Sequence, residues 1–164
     1  MTFVPGNVFD PEHLDLVPLF TADSPPVTTA PDLRTLTSLN PLRGHVSAIY
    51  TSSLFHLFSE DAQVRLARAL AGLLSPEPGS MIFGKQIGLP ESGHASEWEV
   101  SSTRRGLFCY TSRSWSELWD GEVFPKGTVR VLAFVREIPR DEVAKTFPEA
   151  KNSVHLLVWS VTRL

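Results

Sequence analysis

His56 is the side chain in this sequence best suited to moving a proton. An imidazole titrates near neutrality, so a positioned histidine can take the proton of a hydroxyl or carboxyl acceptor. It lies in the run Leu54-Phe55-His56-Leu57-Phe58, and those neighbours suit a hydrogen-bonded histidine at a helix start as well. Phe55 and Phe58 read as pocket wall or as core. Just upstream, Thr51, Ser52 and Ser53 leave the end of an apolar run. Ligands of open α/β sheets gather outside the C-terminal ends of the strands, so these hydroxyls can contact a ligand or simply form a polar strand exit. Lys85 and Gln86 follow the next apolar run. Gln86 can hydrogen-bond a substrate and Lys85 can meet a carboxylate, the alternative for both being a solvated loop. His13, His45, His94 and His155 show no metal-ligand spacing, and Cys109 is the sole cysteine, so neither a metal site nor an internal disulfide is expected. Trp98, Trp115, Trp119 and Trp159 read as core or substrate-pocket aromatics rather than a cofactor box.

The elements that must position these residues follow from periodicity and punctuation. Residues 3–10 begin apolar at once and enter a Gly-Asn turn, like the end of a strand. Prolines at 18, 25, 26 and 31 mark an irregular connection over 11–44, inside which Asp32 can cap a short helix through Leu39. Residues 46–50 form a short buried strand. Ser59 is a good N-cap, with Glu60 and Asp61 in the first turn, where the helix dipole favours negative charge. Ala62, Leu66, Ala69, Leu70 and Leu73 recur at helical spacing, so 60–74 is an amphipathic helix stopped by Pro76 and Pro78. A strand over 80–84 precedes a polar stretch to about Arg105. Ser114 caps a helix, and strands at 128–137 and 154–162 are joined by a polar hairpin-like connection. Strands alternating with helices imply an α/β fold with a mostly parallel sheet, the last two strands being antiparallel neighbours.

Bulk properties narrow the function classes. A chain of 164 residues suggests one domain with room for a core. Net charge is −3 with a pI near 5.9, and the arginines, Arg104-Arg105 and Arg130 with Arg136 and Arg140, are scattered. No nucleic-acid footprint is expected from that. There is no run of eighteen apolar residues to cross a membrane, and the N-terminus lacks the pattern of a secretory signal, so the default expectation is a cytoplasmic protein.

The order of elements resembles the second half of a class I S-adenosylmethionine (SAM)-dependent methyltransferase, a Rossmann-like α/β fold whose last strand inserts antiparallel beside the fifth. More narrowly, the sequence is similar to fungal methyltransferases of secondary metabolism, those acting on polyketide and meroterpenoid intermediates. The resemblance is carried by FVPGNVFD (3–10), by HVSAIYTSSLFHLFSEDAQVRLARALAGLLSPEPGSMIFGKQIG (45–88), by SWSELW (114–119) and by LLVWSVTRL (156–164). It implies SAM as cofactor, held by Asn7, Val8 and Phe9 on the adenine side and by Thr51 and Ser52. Asn7 would accept from the adenine amino group, Val8 would donate its backbone N–H to the ring, and Phe9 would pack on the purine face. It implies Ser53, Phe55 and Gln86 on the substrate side, His56 as the base, and a small-molecule acceptor methylated at oxygen.

One departure matters. The family holds the methionine end of SAM with a G-x-G turn after its first strand, because glycine lets backbone amides approach closely. This sequence contains no G-x-G. The resemblance therefore implies a single methyltransferase domain over 1–164 whose first two strands and helices, about 80–100 residues at usual α/β unit sizes, are missing. The alternative is an inactive remnant or interaction module that cannot hold SAM alone. An unpaired apolar strand is an association hazard, so a homodimer through the exposed sheet edge is a further expectation.

Overall fold

Downstream of Ser59 the helical spacing of apolar residues folds as one helix, and the β-branched runs on either side fold as strands. In chain order the elements are β1 (Ala48–Ser52), α1 (Glu60–Leu73), β2 (Met81–Ile87), β3 (Gly93–Ala95), β4 (Leu107–Cys109), α2 (Ser112–Trp119), β5 (Val129–Ile138), α3 (Arg140–Val143) and β6 (Val154–Arg163). The structure is a computed structural model, and it describes residues 3–91, 93–95, 107–146, 148 and 153–164. Arg104, Arg105 and Trp98 lie outside the described residues, as does the side chain of His94.

Four strands form one sheet in the order β1-β2-β6-β5. β1 and β2 pair in parallel, from Ala48 opposite Met81 to Ser52 opposite Lys85. β6 runs antiparallel to β2 on one side and to β5 on the other. Three strands therefore point one way and the last strand the other, a mixed α/β arrangement compatible with part of a Rossmann-like fold. β3 and β4 pair separately as a small antiparallel ribbon.

Pleating sorts the sheet into two faces. The registers bring Ile49, Ile82, Val161 and Val131 into one cross-strand row, and Thr51, Gly84, Trp159 and Ala133 into the next on the same face. α1 and α2 cover this face. Leu66, Leu70, Leu73, Trp115, Leu118 and Trp119 from the helices join Ile82, Leu157, Trp159 and Val161 from the strands in a single apolar core. Trp119 and Trp159 stack with ring centroids 5.8 Å apart, and Trp115 meets Trp159 edge-on at 5.0 Å. Cys109 of β4 is buried, and burial pushes its thiol up to about 11.

Several local expectations need correction. Residues 3–10 form no strand. Their polar groups close a turn instead: Asp10 N–H donates to the Asn7 carbonyl at 3.0 Å, and Phe9 N–H donates to Asn7 Oδ1 at 3.0 Å. The expected helix over 32–39 shrinks to a 3-10 turn at Leu33–Thr35 with no buried residue. A short helix without an apolar face to pack is marginal in water. The strand expected at 46–50 is displaced to 48–52, because Val46 makes only a bridge to Leu74. Ser59 adopts N-cap backbone geometry, but its hydroxyl makes no cap bond. Thr111, not Ser114, caps α2. Thr111 Oγ1 accepts from Ser114 N–H, and Ser114 Oγ accepts from Thr111 N–H, both at 3.0 Å, which is a capping box.

Candidate functional site

The C-terminal ends of the parallel pair β1 and β2 gather most of the residues singled out above. Thr51 and Ser52 close β1, with Gly84 and Lys85 opposite them on β2. The two backbones approach so closely there that a Cβ at position 84 would overlap the Thr51 carbonyl. Glycine is required at 84 by contact, not by dihedral angles.

Ser53 then turns the chain out of the sheet. Its φ is +53°, and it is the only non-glycine residue with positive φ among the described residues. Its N–H donates to the Lys85 carbonyl at 2.8 Å, which ties the exit of β1 to β2. Left-handed backbone at a serine costs of order 1 kcal/mol and is retained where the surroundings fix it, often at functional sites.

The turn delivers Phe55 and His56 as part of a 3-10 turn, Phe55–Leu57. Phe55 is fully buried, its ring edge-on to Trp115 at 5.0 Å and to Trp159 at 5.9 Å. It anchors the turn to the core. His56 is buried beside it, its Nδ1 without a hydrogen-bond partner, and burial holds its pKa below the usual histidine range. The imidazole is therefore neutral at physiological pH, the state in which it can accept a proton.

Gln86 lies on the covered face of β2, two residues beyond Gly84, and is 1% exposed with its Nε2 unpartnered. Thr51 Oγ1 is likewise buried and unpartnered. Buried polar atoms without partners are uncommon and mark either strain or a missing ligand or water.

Asn7, Val8 and Phe9 reach the same neighbourhood from the N-terminal segment. Phe9 packs edge-on against Phe58 at 4.8 Å, next to the 3-10 turn, and its carbonyl accepts from Arg65 of α1 at 2.9 Å. Val8 packs partly buried against the core. The Asn7 side chain is exposed, and its Oδ1 is occupied by the Phe9 N–H. The structure thus brings 7–9 and 51–58 together through the Phe9–Phe58 contact, and sets Gln86 on the adjacent strand.

Gln63 was not singled out by sequence reasoning. It is fully buried on α1, and its Nε2 donates to the carbonyls of Phe58 (3.0 Å) and Phe108 (2.9 Å). It therefore fixes the segment after His56 against β4. The signal is in the sequence: Gln63 precedes Leu66 and Leu70 by three and seven, a polar residue at an apolar stripe position. Among the described residues no group of His, Cys, Asp or Glu side chains could hold a metal ion.

No family model matches the chain. Curated relatives do. O-methyltransferase phiE of Fungal sp. is 33% identical over 104 residues, 63% of this chain and 33% of the relative. Asnovolin E/Chermesin D methyltransferase nvfJ of Aspergillus novofumigatus is 37% identical over 81 residues, 49% of this chain and 28% of the relative. Methyltransferase ausD of Penicillium brasilianum is 28% identical over 123 residues, 75% of this chain and 42% of the relative. The chain spans between about a quarter and two fifths of the curated relatives it matches. Its sequence, together with a mixed α/β sheet compatible with part of a Rossmann-like fold, makes the chain similar to fungal methyltransferases.

Proposed function

We propose that this chain forms the later half of a single SAM-dependent methyltransferase domain, acting at an oxygen of a small apolar metabolite in the cytoplasm. The observation that carries this reading is the sheet order β1-β2-β6-β5, with antiparallel β6 inserted beside β2, in a chain whose relatives are fungal methyltransferases.

The residues present fit one wall of a cofactor site. Thr51 Oγ1 and Gln86 Nε2 are buried and unpartnered at the strand ends, where a polar ligand would complete them. In this reading Asn7, Val8, Phe9, Thr51 and Ser52 face the cofactor, while Ser53, Phe55 and Gln86 shape the acceptor side. When bound, SAM supplies an electrophilic methyl group on a sulfonium. The chain's own residues hold and orient the acceptor, since in-line alignment and exclusion of water account for most of the rate in such transfers. His56, kept neutral by burial, takes the acceptor's proton at its imidazole.

The sequence holds no G-x-G, which supports a second reading for the chain taken alone: an inactive remnant or interaction module that does not retain SAM. A chimera tests the first reading. The residues preceding the matched stretch of the Fungal sp. relative are fused to this chain, and SAM is titrated in by calorimetry. Micromolar binding by the chimera, weakened by Thr51→Val, is expected, with no heat from the 164-residue chain. A soluble, folded chimera that gives no heat refutes the reading.

A further inference from the structure

Gln63 occupies a point on α1 where the stripe of Leu66 and Leu70 calls for an apolar side chain, and it is fully buried there. Its Nε2 donates to the Phe58 carbonyl at 3.0 Å and to the Phe108 carbonyl at 2.9 Å. An amide carries two N–H bonds on one nitrogen, so a single uncharged side chain satisfies both acceptors. A carboxylate at the same place would only accept, a lysine would bury a charge, and methionine or leucine would donate nothing.

The two carbonyls belong to segments far apart in the chain. Phe58 ends the turn Phe55–Leu57 that carries His56, and its N–H returns to the Phe55 carbonyl at 3.0 Å. Phe108 is the middle residue of β4, next to Cys109. β4 is in turn tied to the exit of β2, where the Leu89 N–H donates to the Tyr110 carbonyl at 3.1 Å.

His56 is therefore held from both sides. Upstream, Ser53 N–H on the Lys85 carbonyl and the buried Phe55 ring fix where the chain leaves β1. Downstream, Gln63 fixes Phe58 against β4. A 3-10 turn has poor internal hydrogen-bond geometry, so its orientation depends on such outside anchors.

We infer that Gln63 is the positioning residue of His56: it locks the turn to β4, so that the imidazole is set at the strand ends only while β4 is docked, and the two open as one unit. The catalytic meaning of that joint rests on the reading of His56 as the acceptor's base, proposed above; the joint itself does not.

The test reads two side chains in the full 164-residue chain, without SAM. Diethyl pyrocarbonate modifies His56 and iodoacetamide modifies Cys109, each followed by peptide mass spectrometry that separates His56 from the other four histidines. Both side chains are buried, so each reacts from an open state. In the unsubstituted chain, low urea should raise both rates with one shared slope, because one opening exposes one surface. Gln63→Met keeps the volume and removes both donors. It should raise both rates together, by at least about fivefold for two lost hydrogen bonds, while far-UV circular dichroism shows the fold kept. Arg163→Ala, at the opposite end of the sheet, should change either rate by less than about twofold, since distant sites act independently. Unequal urea slopes, or a Gln63→Met variant that frees Cys109 and leaves His56 protected, overturn the inference. So do equal gains in Gln63→Met and Arg163→Ala, which signal global unfolding. If Gln63→Met does not fold, the two urea slopes decide. Shared slopes beside a chimera that binds no SAM keep the joint and remove the methyltransferase reading. Unequal slopes beside a chimera that binds SAM do the reverse.

Discussion

Replacing Gln86 by leucine should make this protein more stable. The side chain is 1% exposed, and its Nε2 finds no acceptor. A buried amide group left unsatisfied costs about 1–3 kcal/mol, whereas an apolar side chain of similar size at the same point costs nothing of that kind. Its cross-strand neighbour on that face is Leu157, itself paired with Val135 one strand further on, both apolar. Gln86→Leu is therefore expected to gain about 1–2 kcal/mol, after allowing for imperfect repacking. For a chain of 164 residues that corresponds to a rise in Tm of about 2–8 °C. Gln86→Ala, which leaves a cavity, should lower Tm instead. Thermal unfolding followed by circular dichroism reads both. If leucine lowers Tm by more than about 2 °C, then Nε2 has a partner in solution, such as an ordered water, and the reasoning is wrong. A gain in stability accompanied by lost SAM binding in the chimera would mean that glutamine is kept for its ligand.

Three other outcomes follow from the same geometry. Gly84→Ala forces its Cβ onto the Thr51 carbonyl, so β1 must move away from β2. A loss of about 3 kcal/mol or more in urea unfolding is expected, at the upper end for overpacking. Arg163 holds the N-terminal segment to β6, donating to the Phe20 carbonyl at 2.7 Å with its guanidinium 4.5 Å above the Phe124 ring. Arg163→Ala should cost about 2–3 kcal/mol, while Arg163→Met, which keeps the apolar stem, should cost less than half of that. His56 is held neutral in the fold by burial, so the unfolded chain binds more protons at low pH. Stability is fully present above the unfolded pKa near 6.5 and falls as pH drops toward the depressed folded pKa, by at most about 1.4 kcal/mol per pH unit. His56→Gln should remove that slope from urea unfolding measured between pH 7 and 5.

The parts of the fold carried by periodicity were legible in the sequence. The stripe Leu66, Leu70, Leu73 gave α1 to within a residue, and the β-branched runs gave β5 and β6 as antiparallel neighbours. Segments whose conformation depends on what they pack against were not. Residues 3–10 read as a strand, yet a strand needs a ladder, and the described residues provide none for it. Leu33, Leu36 and Leu39 have helical spacing, yet among the described residues nothing buries the Leu33 side of that turn. At the candidate site the residue types were readable and the constraints were not. The overlap that demands glycine at 84 and the positive φ of Ser53 both arise from tertiary contact between β1 and β2. Gln63 carried a signal, a polar residue in an apolar stripe, that a reading for core positions passes over.

The sulfhydryl of Cys109 has a practical consequence. It is 1% exposed, and with a pKa near 11 it stays a thiol at any working pH. A thiol-alkylating reagent attacks thiolate, so it meets this buried sulfur only when the structure around β4 opens locally. The chain has one such sulfur, and its modification kinetics under native conditions therefore count opening events at a single known address. In effect the molecule carries a built-in clock for its own breathing, set between Phe108 and Tyr110, the two aromatic residues that pack against the core there.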